Sequence, residues 1–246
     1  MSYSIESITE SIGARRMGNA PATIDWLLTD SRSLNFPEET LFFALTTKRN
    51  DGARYIADLY ARGVRNFVLS EESFRLMDNG QLTIDNAMQR DDAQSIVNYL
   101  IVPNPLKALQ KLAEQHRNRF QIPVIGITGS NGKTVVKEWL HQLLSPERAI
   151  IRSPRSYNSQ IGVPLSVWQM NEQSELAIFE AGISEPGEMR ALQNIIKPTI
   201  GILTNIGGAH QENFFSLQEK CMEKLTLFKN CDVVIYNGDD EFVSNC

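Results

Sequence analysis

Pro123-Val-Ile-Gly-Ile-Thr-Gly-Ser-Asn-Gly-Lys-Thr134 is the stretch that decides the fold. An apolar strand runs into a loop bearing Gly129 and Gly132, and Lys133-Thr134 opens a helical pattern that continues to Leu144. A strand–loop–helix of this kind turns successive backbone N–H groups inward. The helix N-terminus adds partial positive charge, so a polyphosphate is favoured there. Lys133 supplies a point charge suited to β- and γ-phosphates, and the Thr134 hydroxyl is suited to Mg²⁺. The spacing departs from the common phosphate loop. That loop needs a glycine five residues before Gly132, where Ile127 stands, and the glycines fall at 126, 129 and 132 instead.

Downstream, strands are expected at 123–128, 175–180, 199–205 and 232–237, with helices at 133–144, 187–196 and 216–229. Such alternation, with near-continuous Val/Ile/Leu strands, predicts an α/β domain with a mostly parallel sheet covered on both faces. Upstream, Ile5, Ile8 and Ile12 have helical spacing. Residues 40–45 and 66–69 read as strands, 55–62 as a helix, and Asp51-Gly52 as a turn. Pro103-Asn104-Pro105 suits a hinge. The expected organisation is a small mixed α/β domain over 1–103 followed by a phosphate-loop domain over 104–246.

Ligands of open α/β sheets gather beyond the carboxyl ends of the strands. Glu180 leaves one such strand end, where a lone carboxylate near a nucleotide suits a metal. Thr204-Asn-Ile-Gly-Gly-Ala-His210 opens another strand into a glycine-bearing loop that presents Asn205 and His210. His116 and His141 sit in helical patterns and read as solvated. Lys224, among Glu219, Lys220 and Glu223, reads by itself as a solvated charge.

The bulk properties agree with a soluble globular protein: 246 residues, 42% hydrophobic, 22% charged. A net charge of −5 gives no global basic field for nucleic acid or anionic lipid, so phosphate must be held by local devices. No apolar run is long enough to cross a bilayer, and the N-terminal residues lack a signal-peptide core. Cys221, Cys231 and Cys246 lack metal-ligand spacing and are expected to be reduced cytoplasmic thiols.

At these residues the sequence resembles the Mur ligase family, which builds the peptide of bacterial cell-wall precursors. Gly126-Ile-Thr-Gly-Ser-Asn-Gly-Lys-Thr134 is similar to that family's own phosphate loop, including the spacing at Ile127. Asn158-Ser-Gln-Ile-Gly-Val-Pro164 resembles its Asn-rich segment, Glu180-Ala-Gly its metal-binding glutamate, and Thr204–His210 its strand-end histidine motif. Thr29-Asp-Ser-Arg32 and Asn50-Asp-Gly52 look like its uridine-nucleotide loops. Within the family, Leu109-Gln-Lys-Leu-Ala113, Ser130-Asn131 and Val136-Lys137-Glu138 point to the D-alanyl-D-alanine-adding branch. Gln211, Asn213 and Phe215 depart from the residues usual after the histidine, and Val135-Val136 from the commoner threonines.

The resemblance implies an ATP- and Mg²⁺-dependent ligase joining UDP-N-acetylmuramoyl-tripeptide to D-alanyl-D-alanine through an acyl phosphate. It places Gly129, Ser130, Asn131, Gly132, Lys133, Thr134, Asn158 and Asn205 at the nucleotide, and Thr134, Glu180, His210 and Lys224 at the metal. Lys133, His210 and Lys224 would carry catalysis, with Lys224 as a carbamate. Ser31, Arg32, Thr46, Asn50, Asp51 and Gly52 would hold the uridine substrate. It further implies a third domain beyond these residues, needed for ligation, a monomer, and, in some relatives, a fused alanine racemase. The competing expectations are another Mur-type or folylpolyglutamate-type ligase and an unrelated phosphate-loop NTPase.

Overall fold

The computed structural model describes residues 1–47, 50–78, 96–208 and 213–246. These form two compact units, Met1–Leu112 and Ala113–Cys246, and the division falls inside the helix Pro105–Arg117.

The first unit is built on a five-stranded sheet in the order Arg15–Met17, Asn98–Val102, Asn66–Ser70, Thr40–Phe43, Trp26–Leu28. Its pairings are parallel except for Arg15–Met17 against Asn98–Val102. The helix Ile5–Ile12 forms where the isoleucine spacing predicts it. Ser4 caps its start by accepting from the Ser7 N–H, and Gly13 ends it in a left-handed conformation. Phe42, Phe67, Leu69, Ile56 and Leu59 fill the core, so the apolar runs read as strands and helix in the sequence do become buried.

The second unit is a five-stranded, wholly parallel sheet in the order Ile150–Arg152, Leu176–Glu180, Val124–Thr128, Ile200–Leu203, Val233–Ile235. Alternate strand residues serve opposite faces, as a pleat requires. Val124, Ala177, Phe179 and Leu203 join a core with Val163, Val167, Leu192 and Ile195. Ile125, Ile127, Leu176 and Ile178 face Val136, Leu140 and Leu144 of the helix Lys133–Leu144.

Gly126 and Gly201 are register partners on adjacent strands and together leave a hollow in the sheet surface. A Cβ at Gly201 would stand 2.4 Å from the Phe228 ring, and one at Gly126 would crowd Pro198 and Leu227. Leu227 and Phe228 therefore seat against the strands, which fixes the chain that precedes them. That chain is an α-helix only over Leu217–Leu225, and Thr226–Phe228 is a 3₁₀ turn. The expected single helix over 216–229 is corrected accordingly.

Two expectations about burial are also overturned. Lys224, expected in solvent, faces inward with Lys220, Cys221, Leu227 and Phe228, while Leu217 and Leu225 are only partly buried. His116, expected in solvent, is 2% exposed. Its ring packs on Trp168 and Phe120, and its Nε2 lies 3.0 Å from the Met170 carbonyl oxygen. Burial pushes its pKa down to about 4.

Candidate active site

The phosphate loop is moulded onto the end of the neighbouring strand. Gly129 has φ 141°, and a Cβ there would stand 2.0 Å from Thr204 Oγ1. Only glycine permits both the conformation and the approach. Ser130 N–H donates to the Asn205 carbonyl at 2.9 Å, and Asn131 N–H donates to Asn205 Oδ1 at 2.9 Å. The Thr204 hydroxyl donates to the Asn131 carbonyl at 2.6 Å. Ser130 Oγ donates to the Gly207 carbonyl at 3.1 Å and lies 2.8 Å from the Gly207 N–H. Asn205 thus shapes the loop through its backbone and side chain. The loop then delivers Lys133 and Thr134 to a helix start, where no preceding turn supplies carbonyls to their N–H groups.

Three lysines converge on this loop. Lys133 folds back to donate to the carbonyls of Gly129 at 2.9 Å and Ser130 at 3.4 Å. Lys224, 3% exposed, donates to the same Gly129 carbonyl at 3.1 Å. Lys220, 1% exposed, donates to the Gly207 carbonyl. Burial lowers the Lys133 pKa, against the opposing pull of Glu180. Burial, then the charges of Lys133 and Lys220, bring Lys224 down to about 8. The solvated reading of Lys224 is overturned, and Lys220 beside it is buried as well.

The other half of the site is acidic. Glu180 is fully buried at the end of Leu176–Glu180. Thr134 Oγ1 donates to its Oε2 at 3.0 Å, and Asn158 Nδ2 approaches the same oxygen at 3.4 Å. Its backbone N–H donates to Ser153 Oγ at 3.2 Å. Lys137 Nζ lies 3.0 Å from Oε1, an ion pair without hydrogen-bond geometry. Sequence reasoning used Lys137 only as a family marker. The available signal was its position one helical turn after Lys133, on the same face.

In the first unit, Thr46 and Asp51 are opposed in a two-stranded ladder, with Thr46 Oγ1 3.3 Å from Asp51 Oδ1. Asp51 also accepts from the Ala53 N–H at 2.9 Å and from Ser73 Oγ. Gly52 packs so closely on Ala44 and Leu45 that a Cβ would collide with their backbone. Thr46, Asn50, Asp51 and Gly52 therefore share one hairpin. Ser31 and Arg32 lie in a separate short 3₁₀ turn, where Arg32 pairs with Asp30 at 2.6 Å and Ser31 accepts from Arg62. His210 lies outside the described residues.

The family description "Mur ligase middle domain" matches residues 127–246. A UDP-N-acetylmuramoyl-tripeptide–D-alanyl-D-alanine ligase of Borreliella burgdorferi is 32% identical over 227 residues, 91% of this chain and 47% of the relative. The chain belongs to the Mur ligase family. It spans about half the length of the curated relatives it matches. Its fold matches a solved MurF of Acinetobacter baumannii with a TM-score of 0.83, at 24% identity over 100% of this chain and 51% of that one. A MurF ligase of Thermotoga maritima, solved in complex with ADP, matches with a TM-score of 0.71 and 25% identity. That match covers 89% of this chain and 47% of the other.

The resemblance implies a nucleotide-borne cation, and the residues present fit one. Glu180 is a fully buried carboxylate whose Oε1 is paired with Lys137, and its Oε2 faces a hydroxyl that can rotate to offer a lone pair. Among the described residues no group of three His, Cys, Asp or Glu is gathered. One carboxylate beside a hydroxyl suits Mg²⁺, which is commonly held by one or two carboxylates together with phosphates and water.

Proposed function

We propose that this chain carries the carboxylate-activating part of an ATP-dependent ligase that adds D-alanyl-D-alanine to UDP-N-acetylmuramoyl-tripeptide in the cytoplasm. The observation that carries the reading is the convergence of Lys133 and Lys224 on the Gly129 carbonyl, in the same phosphate loop that sets Thr134 against Glu180. The Lys133 ammonium rests on loop carbonyls alone for its hydrogen bonds, and a polyphosphate would give it an anionic partner. The names of the relatives supply the substrate pair.

Lys133 leaves its loop carbonyls for the β- and γ-phosphates, and the loop N–H groups orient the chain of phosphates. Mg²⁺, held through Thr134 and Glu180, would neutralise charge on the transferred phosphoryl group. The tripeptide carboxylate attacks the γ-phosphorus in line. A carboxyl O–P bond forms, the β–γ bridging P–O bond breaks, and ADP leaves. The amine of D-alanyl-D-alanine then attacks the acyl carbon. The tetrahedral intermediate expels inorganic phosphate, and the amine loses a proton. Positioning and electrostatics do most of this work. Lys224 serves as the carbamate, an anion made from a cation, Asn158 lies at the same carboxylate, and His210 is the further metal ligand that the resemblance implies. Ser31, Arg32, Thr46, Asn50, Asp51 and Gly52 in the first unit hold the uridine nucleotide.

The test is product analysis with the full-length protein. D-alanyl-D-alanine, UDP-N-acetylmuramoyl-tripeptide and ATP should give ADP, phosphate and the pentapeptide product in equal amounts. Turnover with a single amino acid in place of the dipeptide, or with a folate in place of the UDP-linked tripeptide, would assign a different ligase. ADP release without any peptide bond would assign an NTPase.

A further inference from the structure

Lys137 is a fully buried cation that the reaction above does not use. Its ammonium group donates to the carbonyl of Ser153 at 2.8 Å and to that of Arg155. Both follow the strand Ile150–Arg152, so backbone, not Glu180, fixes where the charge sits. From there it lies 3.0 Å from Glu180 Oε1, with Glu138 3.1 Å away on its outer side. The two carboxylate oxygens of Glu180 are thus distinguished. Oε1 faces a fixed cation, and Oε2 faces Thr134 and Asn158.

We propose that Lys137 is the positioning residue of the metal site: it occupies Oε1, so Glu180 ligates the nucleotide-borne divalent cation through Oε2 alone. The inference rests on the reading of this loop as a Mg-nucleotide site. A free carboxylate can chelate with both oxygens. Here a chelated ion would lie against the Lys137 ammonium, and like charges at that distance repel strongly in a buried site. Single-oxygen ligation leaves the octahedral positions that Mg²⁺ needs for Thr134, phosphate oxygens and water. Lys137 also cancels the charge of Glu180. A divalent ion without phosphate meets a nearly neutral pair, so the metal enters with the nucleotide.

The first experiment is a crystal structure of the unaltered chain with ADP and Mn²⁺. The expected result is Mn²⁺ on Oε2, with Lys137 Nζ still within hydrogen-bond reach of Oε1. Bidentate Glu180, or Lys137 turned away, overturns the proposal. The second is Mn²⁺ titration followed by electron paramagnetic resonance, with and without ADP, on the unaltered chain, Lys137→Gln and Lys137→Arg. The unaltered chain should bind Mn²⁺ tightly only with ADP. Lys137→Gln should keep metal-free ADP affinity but lose about tenfold or more in Mn²⁺ affinity of the ADP complex, and Lys137→Arg should regain most of it. Folded Lys137→Gln with unchanged Mn²⁺ affinity, or with equal loss of metal-free ADP binding, contradicts the positioning role. Should Lys137→Gln fail to fold, the crystal structure decides. If the unaltered chain binds no ADP, the nucleotide reading fails and this inference with it.

Discussion

Lys133 and Lys224 donate to the same acceptor, the carbonyl oxygen of Gly129, at 2.9 and 3.1 Å. Two cations share one dipole, and Lys133 makes Lys224 harder to protonate. Lys224 is brought down to about 8, by burial first and by Lys133 and Lys220 after it. A neutral amine is what reaction with CO₂ requires: the nitrogen lone pair attacks carbon, and the ammonium proton is lost.

The Lys224 amine is expected to form a carbamate. Bicarbonate enriched in ¹³C should give a carbamate resonance that grows as pH rises through about 8 and is missing in Lys224→Ala. In the full-length protein Lys224→Ala should cripple ligation, with partial rescue by small carboxylates. The linked stability has a defined sign. The folded pKa lies below the ordinary lysine value of 10.5, so the unfolded chain binds more protons between about 8 and 10.5. This group therefore makes the protein more stable as pH rises through that window.

Lys220→Ala is expected to cost stability, on the order of 1–3 kcal/mol, because it removes a buried donor from the Gly207 carbonyl. Thermal unfolding of this variant beside Lys229→Ala, an exposed change just after the 3₁₀ turn, measures it. Equal melting temperatures would show that the contact between Lys220 and Gly207 does not stabilise the fold.

His116 sets an acid limit. Its folded pKa of about 4 lies below the ordinary 6.5, so its contribution is fully present above pH 6.5 and is lost as pH falls towards 4. Over that window the loss should be on the order of 2 kcal/mol, since a tenfold change in proton affinity is worth about 1.4 kcal/mol. Urea unfolding from pH 7 to 4 should show a shallower decline for His116→Gln. Parallel declines would show that His116 is not the group responsible.

The phosphate loop and the parallel sheet were legible because strand, glycines, Lys-Thr and helix occur in the only order that builds them. Glu180 and Asn205 were legible as strand-end residues. His116 was misread because periodicity reports apolar faces, and it is a polar group buried against a long-range partner, Met170, as Lys220 is against Gly207. Lys224 looked solvated for the same reason, and the family resemblance corrected it. Lys137 was missed because its meaning comes from Glu180, Ser153 and Arg155, which reach it only across the sheet. The hollow at Gly126 and Gly201 that aims the lysine helix is likewise a property of strand register.

Gly129→Ala is expected to abolish nucleotide binding and lower the melting temperature, because φ 141° and an approach of 2.0 Å to Thr204 Oγ1 both forbid a methyl group. Gly208→Ala, which meets nothing within 4 Å, is the matched control. Wild-type behaviour of Gly129→Ala would mean that this loop conformation is not the functional one.

The most direct test of the central claim is calorimetric titration of this chain with ATP and Mg²⁺, beside Lys133→Ala. One nucleotide should bind per chain, and the variant should bind about tenfold more weakly or worse, as expected for removal of a charge-assisted phosphate contact. Equal affinity in the two proteins, or no binding to either, would contradict the assignment of Gly129–Thr134 as the nucleotide site.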